Sequence, residues 1–188
     1  MTKSDTICAV ATPPGEGAVG VVRLSGPDAR RLLAVATGRS DWPARRLVVV
    51  DLKDPHSGER IDRGLACLMP GPRSYTGEDV VELQAHGSPV LLRALLEAVF
   101  VLGAEPAAPG EFTRRAVLNG RMDLSQAEAV AACIDAATLR AAHQAQRHLE
   151  GEFGHRIAGL MDELTGLVAH IEACLDFPEE EIPEPLFP

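Results

Sequence analysis

One apolar run decides the fold of the first two thirds of the chain, Val19-Gly20-Val21-Val22-Arg23-Leu24. Its β-branched residues favour a strand, in which Val19, Val21 and Arg23 lie on one face because strand side chains alternate. We expect that face to contribute valines to a core. An arginine aligned with core valines needs an anionic or hydrogen-bonding partner, since an unpaired buried charge is costly. An internal salt bridge and a bound anionic ligand are both open for Arg23.

The residues around this run predict a mixed domain of strands and helices. Short apolar segments favour further strands at residues 6–11, 47–50, 64–68 and 79–84. Helices are predicted after Pro27 and from Ser88-Pro89, where apolar residues recur at helical spacing. Two polar, turn-rich stretches, 70–79 and 109–116, are interpreted as loops of the kind that often carry functional side chains. The predicted fold class is α+β.

A glycine-rich segment, Gly15-Glu16-Gly17-Ala18-Val19-Gly20, matches the G-x-G-x-x-G dinucleotide pattern. That pattern binds a pyrophosphate only where it leads into the N-terminus of a helix. A β-branched run follows here, so we interpret the glycines as a turn between strands. The sequence contains no G-x-x-x-x-G-K-[ST] motif, and its two lysines, Lys3 and Lys53, follow no suitable glycine. We therefore expect no P-loop nucleotide chemistry from these residues.

A change of composition near residue 120 predicts two domains, 1–120 and 121–188. The first has 14 acidic and 14 basic residues, whereas the second has 13 acidic and 4 basic residues and accounts for the whole net charge of −9. Proline is absent from residue 110 to residue 177, which favours helices, with Asp123 and Thr138 as their N-caps. An acidic chain without a basic stripe is also a poor nucleic-acid binder.

An apolar stripe marks the last predicted helix, at steps of three and four residues. Its members are Phe153, Ile157, Leu160, Leu164, Leu167 and Ile171. Helices with such wide stripes leave apolar surface uncovered when they pair only with each other. We expect further helices or another chain to cover it. The second domain is therefore predicted to consist of long α-helices that form an incomplete helical bundle.

Several polar residues of the first domain are candidates for a site. Glu82 shares a strand face with Gln84, and its carboxylate suits a ligand edge with two donors, such as an aminopyrimidine; a solvated strand face is the alternative. Asp79 and His86 are nearby candidates for acid–base chemistry. Arg121 lies at the junction of the predicted domains, where pockets are common. The four cysteines form no C-x-x-C pair, so we expect no metal or redox site and interpret them as small buried hydrophobic residues.

Six ordered segments form a more specific pattern than any single glycine motif. They are residues 5–7 with 11–15 (Asp-Thr-Ile and Ala-Thr-Pro-Pro-Gly), Val21-Val22-Arg23-Leu24-Ser25-Gly26, Ser74-Tyr75-Thr76-Gly77-Glu78-Asp79, Ala108-Pro109-Gly110-Glu111-Phe112-Thr113, Asp123-Leu124-Ser125-Gln126-Ala127-Glu128-Ala129 and Asp176-Phe177-Pro178-Glu179-Glu180. Together they resemble the N-terminal part of the MnmE (TrmE) family of tRNA modification GTPases. The resemblance spans essentially the whole chain.

This resemblance implies a folate-binding domain similar in fold to that of aminomethyltransferases. It also implies binding of 5-formyl-tetrahydrofolate or a related tetrahydrofolate, and formation of a homodimer through this domain. Arg23, Glu82 and Arg121 match the family's folate-contacting positions. Glu82 is expected to accept hydrogen bonds from the pterin, and the two arginines to neutralise carboxylates of the glutamate tail. Which arginine meets which group is left open.

The resemblance further implies an activity of the full-length family protein. That protein would hydrolyse GTP, with Mg²⁺ and K⁺, and work with a flavin-containing MnmG-type partner to modify position C5 of the wobble uridine in certain tRNAs. We expect this chain to lack the GTPase domain, and so to have no GTPase activity, no catalytic residue, and weak or no tRNA binding. Its first five residues lack a signal-peptide core, which predicts a cytoplasmic protein. Two alternatives are an assembly module without folate binding and a stand-alone one-carbon folate transferase.

Overall fold

The structure, a computed structural model, describes residues 5–176. It divides into two compact units, the first ending at Arg121 and the second beginning at Met122. The domain boundary at residues 120 and 121 stays a prediction, and Arg121 itself lies in the first unit. Of the last motif quoted above, Asp176-Phe177-Pro178-Glu179-Glu180, all but Asp176 falls outside the described residues, as do the first four residues.

The first unit is built on a six-stranded sheet with the order β3-β4-β5-β2-β1-β6. Its strands are β1 (Ile7–Val10), β2 (Gly17–Ser25), β3 (Val48–Lys53), β4 (Arg60–Met69), β5 (Val80–Gly87) and β6 (Glu105–Pro106). Neighbouring strands are antiparallel, except that β1 and β6 are parallel. The strand at residues 19–24 and the four others predicted from the sequence are confirmed. Of the glycine-rich segment, Gly15 and Glu16 precede β2, whereas residues 17–20 already belong to that strand. The interpretation as a turn therefore holds only for its first two residues, and the segment leads into no helix.

Three helices belong to this unit: α1 (Ala29–Thr37), α2 (Pro89–Val101) and α3 (Glu111–Leu118). The first two were predicted. α1 ends at Thr37 and is capped by Gly38, whose φ of 69° is a left-handed conformation that glycine adopts without a steric penalty. α2 follows Ser88 and has Pro89 in its first turn. The mixed helix and strand composition predicted for this part of the chain is confirmed.

The core lies on one face of the sheet, under α1 and α2. Strand residues such as Val22, Leu24 and Leu83 are at most 1% exposed there and pack with apolar residues of the two helices. Strand pairing places a different set on the opposite face, which we call the open face. It includes Val21, Arg23, Val49, Leu65, Cys67, Glu82 and Gln84. We also place the exposed Val19 on it, because strand side chains alternate and its neighbour Gly20 approaches Leu92 of α2.

The expected orientation of β2 is wrong. Val19 is 58% exposed on the open face, whereas Val22 is fully buried. β2 carries apolar residues on both faces, so alternation alone does not say which face is inward. Gly20 decides it, because a Cβ atom there would lie 2.6 Å from Leu92 of α2, and this close approach puts the Gly20 face against the helix. Arg23 consequently lies outside the core, on the half-exposed side of the sheet.

The second unit consists of helices α4 (Leu124–Ile134), α5 (Leu139–Leu149) and α6 (Glu152–Asp176). Asp123 and Gln126 form the predicted capping box at the start of α4, and the Thr138 side chain accepts a hydrogen bond from the Ala141 backbone N–H at the start of α5. Both N-caps are confirmed. They satisfy amide groups that a helix leaves without partners in its first turn.

The apolar stripe of α6 is uncovered, as predicted. Its six residues from Phe153 to Ile171 are between 41% and 53% exposed, and no described residue of this helix is buried. Half-exposed residues at helical spacing are typical of a face that packs against another element. No helix within residues 5–176 is long and apolar enough to cross a membrane.

Candidate ligand-binding site on the open face

Arg23 and Glu82 form an ion pair at the centre of the candidate site. They are register partners on the adjacent antiparallel strands β2 and β5. Arg23 donates from Nε and from Nη2 to the same carboxylate oxygen, Glu82 Oε1, at 3.0 and 2.8 Å. The two side chains are 29% and 21% exposed, so the pair is accessible from solvent but partly desolvated. Of the two alternatives open for Arg23, the internal salt bridge is therefore present.

Two aromatic rings flank the Arg23 guanidinium. Its Cζ atom lies 5.6 Å from the centre of the Tyr75 ring and 5.9 Å from that of Phe112, within the range of cation–π attraction. The Tyr75 hydroxyl is fixed by a 2.8 Å hydrogen bond with Thr113 Oγ1. The ion pair thus lies beside flat apolar surfaces, which suit a planar heteroaromatic ligand.

The loop that carries Tyr75 is tied to the sheet by a buried polar network. Ser25 Oγ, at the end of β2, lies 2.6 Å from Thr76 Oγ1 and donates to Glu78 Oε2 at 2.7 Å. Arg115 of α3 reaches the same Glu78 carboxylate at 3.2 Å, and both side chains are less than one fifth exposed. Such fully paired groups restrict movement of a loop. The Tyr75 ring is consequently held in position next to Arg23.

Arg121 is joined to this loop rather than to the ion pair. Its Nε donates to the Ser74 carbonyl oxygen at 3.1 Å, and Asn119 donates to the Thr76 carbonyl oxygen at 2.7 Å. Gly77 lies between these contacts with a φ of 82°, and a Cβ atom there would meet the Asn119 and Arg121 side chains at 3.1 and 3.2 Å. Of the three predicted site residues, Arg23 and Glu82 are in contact. Arg121 is linked to their surroundings through Ser74, the residue before Tyr75.

The interpretation of residues 109–116 as a loop is wrong from Glu111 onward, because these residues form α3. Pro109 and Gly110 suggested a turn, but Gly110, with a φ of 73°, is the N-cap of this helix. The signal was present in the sequence, since Glu111 and Arg115 are spaced as an i,i+4 ion pair, and their charged atoms lie 3.2 Å apart. Three residues near the site, Phe112, Thr113 and Arg115, were missed for this reason.

His86, a candidate for acid–base chemistry, is held by Asp62. The Asp62 carboxylate accepts from the His86 backbone N–H at 2.8 Å, and His86 Nδ1 lies 3.0 Å from both carboxylate oxygens. Burial alone would raise the pKa of Asp62, but hydrogen bonds from His86 and from the Arg63 backbone N–H lower it below its usual value of 3.8. The His86 side chain is 71% exposed. The second candidate, Asp79, accepts from the Gly71 backbone N–H at 2.9 Å and has a structural role in the loop.

The cysteines divide into two classes. Cys8 and Cys67 are buried, as predicted, and burial raises the pKa of Cys8 to about 12. Burial, and then the negative charge of Glu82, also raise the pKa of Cys67. The prediction is wrong for Cys174, which is exposed, and Cys133 is intermediate. Within residues 5–176 no three His, Cys, Asp or Glu side chains are grouped as metal ligands.

Two cavities of the first unit lie away from the ion pair, and neither is lined by Arg23 or Glu82. One of about 400 Å³ is lined by the turn after β1 and by α2, including Pro13, Pro14, Leu92 and Leu96. The other, of about 330 Å³, lies beside α3 and includes Glu78 and Arg115. The first is mainly apolar and offers the Arg93 side chain as a cation. It is therefore a second place in this unit where a small molecule could be accommodated, and binding experiments have to separate it from the open face.

Comparison with known proteins defines the class to which this fold and site belong. Residues 6–121 match the family described as GTP-binding protein TrmE N-terminus, and residues 124–186 match the MnmE helical domain. The two matches correspond to the sheet unit and the helical unit. The chain therefore belongs to the MnmE (TrmE) family, as the sequence motifs indicated.

Individual relatives support this assignment. The chain is 51% identical over 190 residues to the tRNA modification GTPase MnmE of Thermus thermophilus, covering 99% of this chain and 44% of that protein. It is 53% identical over 178 residues to the protein of the same name from Halorhodospira halophila, covering 95% of this chain and 38% of the relative. The chain thus spans about two fifths of the length of these relatives.

Proposed function

We propose that this chain is the tetrahydrofolate-binding and dimerisation part of a GTPase that modifies tRNA. The observation that carries the proposal is the Arg23–Glu82 pair, which lies accessible on the open face beside two aromatic rings. A reduced folate offers a planar pyrimidinone ring with adjacent N–H donors and a tail with carboxylates. Glu82 can accept from the pterin, and a guanidinium can bind a tail carboxylate in a bidentate manner. Arg121, which follows α3 and is hydrogen-bonded to the Ser74 carbonyl oxygen, is the arginine we assign to the tail.

The whole protein is proposed to act on tRNA together with a flavoprotein. In this proposal the complex modifies position C5 of the wobble uridine in the cytoplasm, using a folate one-carbon unit, with an MnmG-type flavoprotein as partner. GTP, Mg²⁺ and K⁺ would serve a GTPase domain outside these residues. Support comes from the names of the relatives, each a tRNA modification GTPase. The 188 residues contain no P-loop motif, so we assign this chain neither GTP hydrolysis nor a catalytic residue.

The open face is the surface proposed for the homodimer. Val19 and Val49 are 58% and 60% exposed on it, although both belong to ordered strands. Exposed β-branched residues beside a polar site are typical of a protein interface. A second copy placed there would also shield the Arg23–Glu82 pair from solvent and strengthen its interactions with a ligand.

Isothermal titration with 5-formyl-tetrahydrofolate tests the proposal. We expect saturable binding by the parent chain, and at least about tenfold weaker binding by Glu82→Gln and by Arg121→Ala, because each variant removes a charge-assisted contact. Arg31→Ala is the matched control for Arg121→Ala, since it removes the same positive charge and Arg31, an exposed residue of α1, pairs with Asp28 just before that helix. A folded parent that binds no reduced folate would refute the proposal.

An assembly module without folate binding is the second candidate. One observation favours it: Arg23 and Glu82 satisfy each other, so neither requires a ligand for its charge. Light scattering distinguishes the two functions when combined with the titration. A dimer that forms without folate and ignores added folate would support assembly alone.

A further inference from the structure

We infer that Arg23 is a specificity-determining residue, which favours a 2-amino-4-oxopyrimidine ring over a 2,4-diaminopyrimidine ring at this site. The inference rests on the proposed function, since it concerns the same site and refines the kind of ring that it accepts. It comes from the position of the guanidinium. Arg23 does not extend away from Glu82 but lies directly against it, so any ring that reaches the carboxylate also meets the cation.

The positive charge of Arg23 and the negative charge of Glu82 lie side by side on adjacent strands. Arg23 and Glu82 are direct cross-strand partners, and such partners have Cβ atoms about 5 Å apart. Both donated hydrogen bonds end on Oε1, and Oε2 accepts none from the described residues. A ring can therefore approach the Oε2 side of the carboxylate first. A ring that binds both oxygens of Glu82 must then replace the Arg23 hydrogen bonds to Oε1. The guanidinium needs a new acceptor when this happens.

The edge of a 2-amino-4-oxopyrimidine provides that acceptor. Along this edge the ring presents the 2-amino group, the N3–H and the 4-oxo oxygen, which are two donors followed by one acceptor. The two donors match the two oxygens of Glu82. The 4-oxo oxygen comes next in line and can accept from Arg23. When the ion pair opens, the Glu82 carboxylate and the Arg23 guanidinium therefore both regain a hydrogen-bonding partner. This avoids the free-energy cost of an unpaired charge.

A 4-amino group changes two positions of this edge. N3 loses its hydrogen and turns a lone pair toward the Glu82 carboxylate, and the amino group places N–H donors against a guanidinium that has no acceptor to offer. A proton taken up on the ring would relieve the conflict at Glu82, but it would bring a second positive charge next to Arg23. Both effects disfavour the 4-amino ring. Neither effect depends on the glutamate tail, so the selection should follow the ring alone.

The two flanking aromatic rings prevent the Arg23 guanidinium from moving away from a 4-amino group. Tyr75 is hydrogen-bonded to Thr113, and Phe112 belongs to α3, so both rings lie on fixed elements. Their contacts with the guanidinium, at 5.6 and 5.9 Å, keep the cation next to the carboxylate. The site therefore discriminates with a positioned charge, as sites with fixed hydrogen-bonding groups do.

Isothermal titration with a matched pair of ligands tests the inference. The ligands are 5-formyl-tetrahydrofolate and 5-formyl-tetrahydroaminopterin, which differ only in the 4-oxo or 4-amino group and in the N3 hydrogen that accompanies the 4-oxo form. We expect the parent to bind the 4-oxo ligand at least about tenfold more tightly. In Arg23→Ala and Arg23→Gln the ratio should fall at least about threefold, since alanine removes the donor and the glutamine amide can turn either end to the ligand, whereas the mismatch between N3 and Glu82 remains. Arg31→Gln should keep the parent ratio.

The outcomes separate this inference from the proposed function. Equal affinity of the parent for the two ligands would overturn the inference while leaving folate binding intact. The same holds if both Arg23 variants, shown to be folded by circular dichroism, keep the parent's preference. If the folded parent binds neither ligand, the proposed function fails and the inference fails with it. The inference is supported if the affinity ratio of the 4-oxo to the 4-amino ligand falls at least about threefold in both Arg23 variants but not in Arg31→Gln.

Discussion

Arg23 and Glu82 face each other across β2 and β5, and the guanidinium places two hydrogen bonds on one carboxylate oxygen. The two charges of the pair consequently balance before any ligand arrives. Both residues also keep part of their surface accessible, at 29% and 21%. This combination of pairing and access distinguishes them from the surface ion pairs elsewhere in the first unit.

The ion pair should make a measurable contribution to stability. We expect a coupling free energy of about 1 kcal/mol between Arg23 and Glu82, above the value for most exposed pairs because the side chains are partly desolvated. Urea unfolding of the parent, Arg23→Ala, Glu82→Gln and the double variant gives this value as a double-mutant cycle. Strictly additive effects of the single variants would show that the residues do not interact in solution.

The Asp62–His86 contact should make stability depend on pH in acid. The folded-state pKa of Asp62 is lowered, so its hydrogen bonds stabilise the fold fully above the unfolded-state pKa, near 3.8. This stabilisation is lost as the pH falls through the lower folded-state pKa. Asp62→Asn should therefore cost about 1–2 kcal/mol at pH 7, and progressively less below pH 4. Urea unfolding of both proteins across this pH range measures the difference, and a gap of constant size would contradict the expectation.

The cysteines should react with thiol reagents in two groups. Cys174 is exposed, whereas Cys8 is buried and its pKa of about 12 leaves almost no thiolate at neutral pH. Iodoacetamide at pH 8 should therefore label Cys174 rapidly, and Cys8 and Cys67 only after unfolding. Mass spectrometry of tryptic peptides reports the order of labelling. Rapid modification of Cys8 in the folded protein would show that β1 is not packed as described.

The isolated chain should bind tRNA weakly. Its net charge is −9, and the acidic excess lies in residues 121–188, so few phosphate contacts can form. A gel-shift assay at physiological salt should give no sub-micromolar complex. Adding salt should change little, because few counterions would be released on binding. A tight, salt-sensitive complex would contradict this expectation and would indicate a basic surface that contacts the phosphates.

The elements of this fold could be predicted where local chemistry alone defines them. The apolar spacing of α1, the capping box at Asp123 and the cap at Thr138 are local patterns, and each was found at its predicted place. The inward face of β2 could not be predicted, because valines occupy both faces and only the contact between Gly20 and Leu92 decides. That contact joins residues 72 positions apart in the sequence.

The candidate site shows the same division. Arg23 and Glu82 could each be singled out as charged residues in apolar strands, but their pairing depends on the register of β2 and β5. The aromatic neighbour Phe112 was missed because Pro109-Gly110 resembles a turn, although Gly110 caps a helix. Strand register and the start of a short helix both depend on tertiary contacts, which a single sequence does not contain.

The most direct test of the central claim observes Arg23 itself. Its Nε–H group gives a ¹H–¹⁵N NMR signal, which can be assigned by its absence in Arg23→Lys. Saturating 5-formyl-tetrahydrofolate should shift this signal, because the ligand takes over part of Glu82, and the Arg31 signal should stay in place as an internal control. A bound folate that leaves the Arg23 signal unmoved, while amides beside the Leu92 and Leu96 cavity shift, would place the ligand elsewhere and contradict the account.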